Sequence, residues 1–128
     1  MRDRTDRPHD EAMAELFRDD PAYGADVLCY VLADGDELDL ALLLPQLDEA
    51  FNAVWALVPD LNSRLRTFSS RSGRLHWAPG AADGWYCVSV ENGYDVYHQQ
   101  HGRQERFIQF SSESEAMLFA LKSAFPKA

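Results

Sequence analysis

A chain of 128 residues with 46% hydrophobic and 12% aromatic side chains has enough apolar material for one packed core. This argues against a disordered chain and predicts a single domain over residues 1–128. The formal charge of −9 is lopsided: residues 1–62 carry 15 acids and four bases, whereas residues 63–128 carry six acids and eight bases. An acidic surface repels phosphate backbones and attracts basic partners, so direct binding of nucleic acid by the whole domain is disfavoured.

The opening residues are polar, with no apolar stretch of the kind that forms the centre of a signal peptide. The longest apolar run, Leu38 to Leu44, ends at Pro45, far short of the roughly 20 residues that span a bilayer. A cytoplasmic protein that does not engage membranes is expected. After a frayed arm, Asp10 is placed to cap a helix to about Arg18, with Met13, Leu16 and Phe17 on one buried stripe. Asp20 before Pro21 restarts the chain as a second helix to about Ala33 that buries Tyr23, Val27, Leu28 and Val31, with Gly35 as its left-handed stop. Asp36 caps a third helix, Glu37 to Leu43. Pro45 either breaks it or begins a fourth helix to about Val58, with Leu47, Phe51, Val54, Trp55 and Val58 as its stripe.

Beyond residue 62 the texture changes. Ser63 to Ser72 reads as a loop or short helix followed by a loop, and Leu75 to Trp77 as a short strand. Two extended runs, Trp85 to Glu91 and Tyr94 to Gln99, flank Asn92-Gly93, the dipeptide that best marks a two-residue hairpin. That loop would set Ser89 against Val96, Cys87 against His98 and Val88 against Tyr97. A turn near His101-Gly102 leads to a further strand, Arg103 to Phe110. Ser112 and Glu115 then form a capping box for a last helix to about Phe125, burying Met117, Leu118, Leu121 and Phe125. The predicted class is α+β: an N-terminal helical array packed with a three- or four-stranded antiparallel meander and a C-terminal helix. One helix covers one sheet face, and apolar residues occupy both, so the second face packs on the front helices or awaits a partner.

Motifs that carry chemistry are sparse. His98 and His101 fall at a strand end and a turn, where a three-residue spacing does not gather imidazoles on one face, so no metal site is assigned. Cys29 and Cys87 form no CxxC pair and read as buried thiols. There is no nucleophile elbow, no glycine-rich phosphate loop and no H-E-x-x-H, so neither a catalytic residue nor a cofactor is assigned. Arg64, Arg66, Arg71 and Arg74 beside Trp77 contain the ingredients of a phosphate site, but in so acidic a chain they are expected to pair with front-half carboxylates. The acids Asp34, Asp36, Glu37, Asp39, Asp48 and Glu49 bracket the third helix. They suit the basic cleft of a nuclease or similar toxin, and read equally as a helix cap at Asp36 with solubilising neighbours.

Two stretches resemble known families. The run from His9 to Tyr23, containing D-E-A-M-A-E-x-F-R-x-D-P-A, followed by Asp34-Gly35-Asp36 and Leu40 to Phe51, resembles the opening of putative addiction-module antidote proteins. In that family a helix-turn-helix DNA-binding domain follows. Here strands follow instead, so operator binding does not carry over. Gly84 to Val88, Asn92 to Tyr97 and Phe110 to Ala116 resemble the strand-strand-strand-helix ending of small immunity proteins that protect bacteria from contact-delivered polymorphic toxins. Together the resemblances imply a toxin neutraliser, not an enzyme, whose partner is a cognate toxin protein; neither bears on its oligomeric state. The expected partner-binding residues are Asp34, Asp36, Glu37, Asp39 and Asp48 on the acidic helices, and Trp85, Tyr94 and Tyr97 on the hairpin. The rival readings are an addiction-module transcriptional regulator, which needs a basic DNA-reading helix, and a small metal-dependent enzyme, which needs convergent polar groups in a pocket.

Overall fold

The computed structural model describes the backbone of residues 2–126 and the side chains of residues 9–126. It has the predicted α+β class, with six helices and one four-stranded sheet among the described residues. The chain divides into two compact units, Met1–Leu61 and Asn62–Ala128, a boundary one residue from the change in charge balance.

The first unit holds α1 (Arg2–Asp19), α2 (Pro21–Asp34), α3 (Glu37–Leu47) and α4 (Phe51–Leu57). Helix α1 starts well before the expected cap: residues 2–9, expected as an arm, are helical. Because the residues ahead of it are already helical, Asp10 cannot cap; its Oδ1 accepts a hydrogen bond from Gln46 Nε2 of α3 at 2.9 Å. Phe17 is fully buried, Met13 is half-buried and Leu16 faces outward. Asp20 caps α2 as expected, its carboxylate accepting from the Tyr23 amide, with Pro21 in the first turn.

The inward face of α2 differs from the predicted stripe. Gly24 and Ala25 join Leu28 and Val31 there, while Tyr23 is exposed and Val27 half-exposed. Small side chains win because the helices approach closely. A Cβ on Gly24 would stand 3.0 Å from Val54 Cγ2, 3.3 Å from Phe17 Cδ1 and 3.5 Å from Leu47 Cδ2.

Gly35 is not a left-handed stop. Its backbone is extended, with φ −84° and ψ 178°. Glycine is needed there for space, since a Cβ would lie 2.8 Å from the Val31 carbonyl oxygen and 2.9 Å from Asp39 Oδ2. The next turn is closed by a reciprocal box. Asp36 accepts from the Asp39 amide at 2.9 Å and Asp39 accepts from the Asp36 amide at 3.0 Å, a cap worth about 1 kcal/mol.

Pro45 neither breaks α3 nor starts a new helix; it lies inside α3, which continues to Leu47. Proline removes one hydrogen bond near the helix end, and burial of Leu40, Ala41, Leu43, Leu44 and Leu47 outweighs that loss. A turn over residues 48–50 then separates α3 from α4, on which Phe51 and Val54 are buried.

The second unit holds α5 (Leu61–Ser70), most of which lies in it, β1 (Leu75–His76), β2 (Gly84–Val90), β3 (Gly93–Gln100), β4 (Arg103–Phe110) and α6 (Glu113–Ala124). The strands lie in chain order. β2, β3 and β4 form the expected antiparallel meander, whereas β1 pairs with β2 in parallel, so the sheet is mixed. Residues 77–83 connect β1 to β2, and because β1 is only two residues long this short link suffices to bring the chain back to the same end of the sheet.

The first hairpin is shifted by two positions from the predicted register. Val90 pairs with Gly93, so Glu91 and Asn92 are the loop and Cys87 faces Val96. A shift of two keeps every side chain on its predicted face. Asn92 does not have positive φ, and Gly93, at φ 146°, serves a different purpose, because a Cβ there would fall 2.1 Å from the Phe110 carbonyl oxygen of β4. The second hairpin is the one with a left-handed pair at its tip: His101 at φ 52° and Gly102 at φ 81° form the loop between Gln100 and Arg103.

Helix α6 packs on one sheet face, burying Ala116, Met117, Ala120, Leu121 and Ala124, with Phe125 just after it; Leu118 is only half-buried. Ser112 caps it by accepting from the Glu115 amide.

Candidate protein-binding surfaces

In the first unit, α2 and α3 form a helical hairpin across the tight Gly35-Asp36 turn. Its outward side leaves an open groove of about 360 Å³ lined by Val27, Tyr30, Val31, Asp39, Leu42, Leu43 and Gln46. These residues recur at the three- and four-residue spacings of one helix face on α2 and another on α3, so two apolar ridges run along a shallow trough. Two of its walls are unusually open for their type: Tyr30 is 67% exposed and Leu42 is 42% exposed. Asp39 stands at the end nearest the turn. At the other end Gln46 is held by its bond to Asp10.

The acidic candidates separate into two places. Asp34 ends α2, Asp36 caps α3, and Glu37 and Asp39 fill its first turn, so these four gather at the corner beside the groove. Asp48 lies just past the other end of α3, 12 residues from its cap and therefore about 18 Å away. The nearby Glu49 is bound to Arg18 at 2.9 Å. Because Asp36 and Asp39 hold each other's amides, their orientation is set by the helix start, and the corner presents its charge in a defined direction.

The hairpin candidates do not share a surface. The register puts Trp85 and Tyr94 on the face that α6 covers and Tyr97 on the opposite one. Trp85 meets Phe119 of α6 edge-on, with ring centres 6.3 Å apart, and also meets His98 at 5.2 Å. Tyr94 pairs with Ser89 and Phe110 and is half-buried. Tyr97 is 5% exposed, which makes it a core residue and not a contact point.

Tyr97 belongs to a row that crosses all four strands: His76, Tyr86, Tyr97 and Phe107 stand in order with ring centres 4.7, 5.1 and 5.5 Å apart. The buried end of the row is tied down. Tyr86 donates to the Ala82 carbonyl at 2.6 Å, and Gln99 Nε2 donates to the carbonyls of Gly80 and Ala82, so the connection before β2 folds over it. Burial pushes the Tyr97 hydroxyl above its ordinary value, with neighbouring Tyr86 and Asp95 adding to the rise. The open end is Phe107, 53% exposed on the edge strand β4.

Cys87 is buried on the α6 face, where burial pushes its thiol from 9.0 up to about 12; the Arg66 guanidinium pulls the other way and the Glu113 carboxylate adds slightly. The folded thiol therefore stays protonated where an unfolded one ionises, and its stabilising effect, complete below pH 9.0, is lost as pH rises towards 12. At pH 8 a thiol reagent should label half-exposed Cys29 and leave Cys87 untouched until denaturant is added. Mass spectrometry of labelled peptides checks this. Rapid labelling of native Cys87 would contradict the burial.

The remaining candidates do not converge. Among the described residues no group of three or more histidine, cysteine or carboxylate side chains is placed to hold a metal ion. His76 Nε2 lies 3.2 Å from the Asp83 carbonyl oxygen, and His98 lies 3.7 Å from Glu105. Two of the clustered arginines engage aromatic rings of their own unit: Arg66 lies over Trp77 at 5.7 Å and Arg71 over Phe68 at 5.2 Å.

Sequence reasoning missed Tyr30, Leu42 and Phe107. The signal for the first two was present, since Val27, Leu28, Tyr30, Val31 and Leu32 span more of α2 than one buried stripe accommodates, and Leu38 to Leu44 do the same on α3. Among the described residues no helix is long and apolar enough to cross a membrane. No family model matches this chain, nor does any curated protein or solved structure.

Proposed function

We propose that this protein is a cytoplasmic immunity protein or antitoxin, which binds a cognate bacterial toxin domain and inhibits it by covering its active surface. The observation that carries this reading is the acidic excess of the helical unit: residues 1–61 contain 15 carboxylates against four arginines, one of which, Arg18, is bound to Glu49. Such a surface raises the encounter rate with a basic partner and disfavours acidic ones. Beside its most concentrated corner lies exposed apolar surface at Tyr30 and Leu42, the kind of aromatic and aliphatic patch that anchors a complex once formed. The two resemblances point to the same class of partner.

The test is co-expression with the product of the adjacent gene, ideally a large protein with a toxic C-terminal domain. Growth should be rescued and the two proteins should co-purify. A chain that does neither is not an immunity protein for that toxin. The corner is tested by Asp34→Lys with Glu37→Lys, a pair that spares the Asp36/Asp39 box. The association rate at low salt should fall about tenfold and its salt dependence should flatten. An unchanged rate would remove this corner from the encounter surface.

A further inference from the structure

The geometry points to the occupant of the α2/α3 groove: we infer that it receives two turns of a cationic amphipathic helix supplied by the partner. This inference rests on the toxin-neutraliser reading for the partner's identity, but the shape and charge of the groove are properties of this chain alone.

Three observations specify the occupant. First, the trough is bounded by two helical ridges, Val27, Tyr30 and Val31 on α2 and Asp39, Leu42, Leu43 and Gln46 on α3. A trough between two such ridges has the shape into which a third helix packs its own ridge of side chains. Second, its length is limited. From Asp39 to Gln46 is seven residues, about 10 Å along α3, which matches two helical turns of the incoming segment. The occupant therefore presents apolar side chains at i, i+3 or i+4, and i+7.

Third, the charge at the end nearest the turn has one sign: Asp39 lines it, with Asp34, Asp36 and Glu37 at the same corner. A helix with lysine or arginine at one end of its apolar stripe meets that corner, while an acidic or neutral amphipathic helix gains nothing there.

The experiment titrates the full-length protein with three peptides of about 15 residues. One has leucine and lysine in helical periodicity, the second replaces lysine by glutamate, and the third is the lysine peptide with a central proline that prevents a helix. Binding is followed by calorimetry and by NMR shifts of the Val27, Leu42 and Leu43 methyl groups. The lysine peptide should bind and shift those methyls, with affinity at least about tenfold above the other two. The double variant Tyr30→Ser/Leu42→Ser should abolish the preference. Both side chains are exposed, and circular dichroism confirms that the variant is folded.

Equal binding of the proline peptide would replace the helix by an extended segment, and equal binding of the glutamate peptide would remove the charge argument. Self-association that disappears in the double variant would identify a second copy of this chain as the occupant. Any of these outcomes overturns the inference. The same double variant, co-expressed with the toxin domain, separates the two claims. If toxin is still neutralised, the groove is not the site although the immunity reading stands. If the wild-type chain fails to neutralise while the lysine peptide binds as described, the partner reading falls and the groove's specificity stands.

Discussion

Gly93→Ala is expected to destabilise the protein by roughly 3 kcal/mol, combining backbone strain with a lost sheet hydrogen bond. At φ 146° Gly93 has a conformation that L side chains rarely adopt, and an added Cβ would fall 2.1 Å from the Phe110 carbonyl oxygen. That contact is with backbone, so no side-chain rotation relieves it. The β3/β4 pairing must open where Tyr94 faces Phe110, which also disturbs the seat of Phe119 of α6 against Phe110. Gly102→Ala is the control. Gly102 also has positive φ, 81°, but nothing lies within 4 Å of its added Cβ, so only the conformational cost of about 1 kcal/mol applies. Urea unfolding of both variants checks the difference. Equal losses would show that strain alone, and not the close approach of β4, sets the requirement for glycine at position 93.

The second large effect is in the helical unit. Phe17→Ala should cost 3–5 kcal/mol, the range for truncating a fully buried phenylalanine. Phe17 is 0% exposed, lies close to Gly24 of α2 and meets Tyr23 with ring centres 5.8 Å apart. The small residue at 24 lets α2 sit against that ring, so removal of the ring leaves a void that the rigid helix pair fills poorly. Leu16→Ala, one position away but on the exposed side, should change stability by no more than about 0.5 kcal/mol. Amide hydrogen exchange across α1 to α4 reports the loss locally. A Phe17 variant as stable as Leu16→Ala would mean that the unit collapses around the cavity.

The amino-acid sequence by itself determined the class of fold, the sites of most element boundaries and the charge of the helical unit. Those features are local: Asp20 before Pro21, Asp36 before Glu37 and Ser112 before Glu115 each satisfy amides a few residues away, and alternation decides the strand faces. The second hairpin was legible for the same reason, since His101-Gly102 supplies its own left-handed turn.

What only the tertiary structure decided depends on residues far apart in the chain. The first hairpin loop moved by one position, and its register by two, because Gly93 serves the contact with Phe110, which no reading of Asn92-Gly93 alone reveals. Gly35 answers to Val31 and Asp39, Pro45 is carried inside α3 by the burial of its leucines, and β1 joins the sheet in parallel. The candidate site followed the same division. The acids at 34, 36, 37 and 39 were legible as a cluster, but Asp48 fell at the other end of α3 and Tyr97 went into the core. The groove between Tyr30 and Leu42 exists only because α2 and α3 lie side by side, and that packing is chosen by Gly24, Phe17, Leu47 and Val54 together.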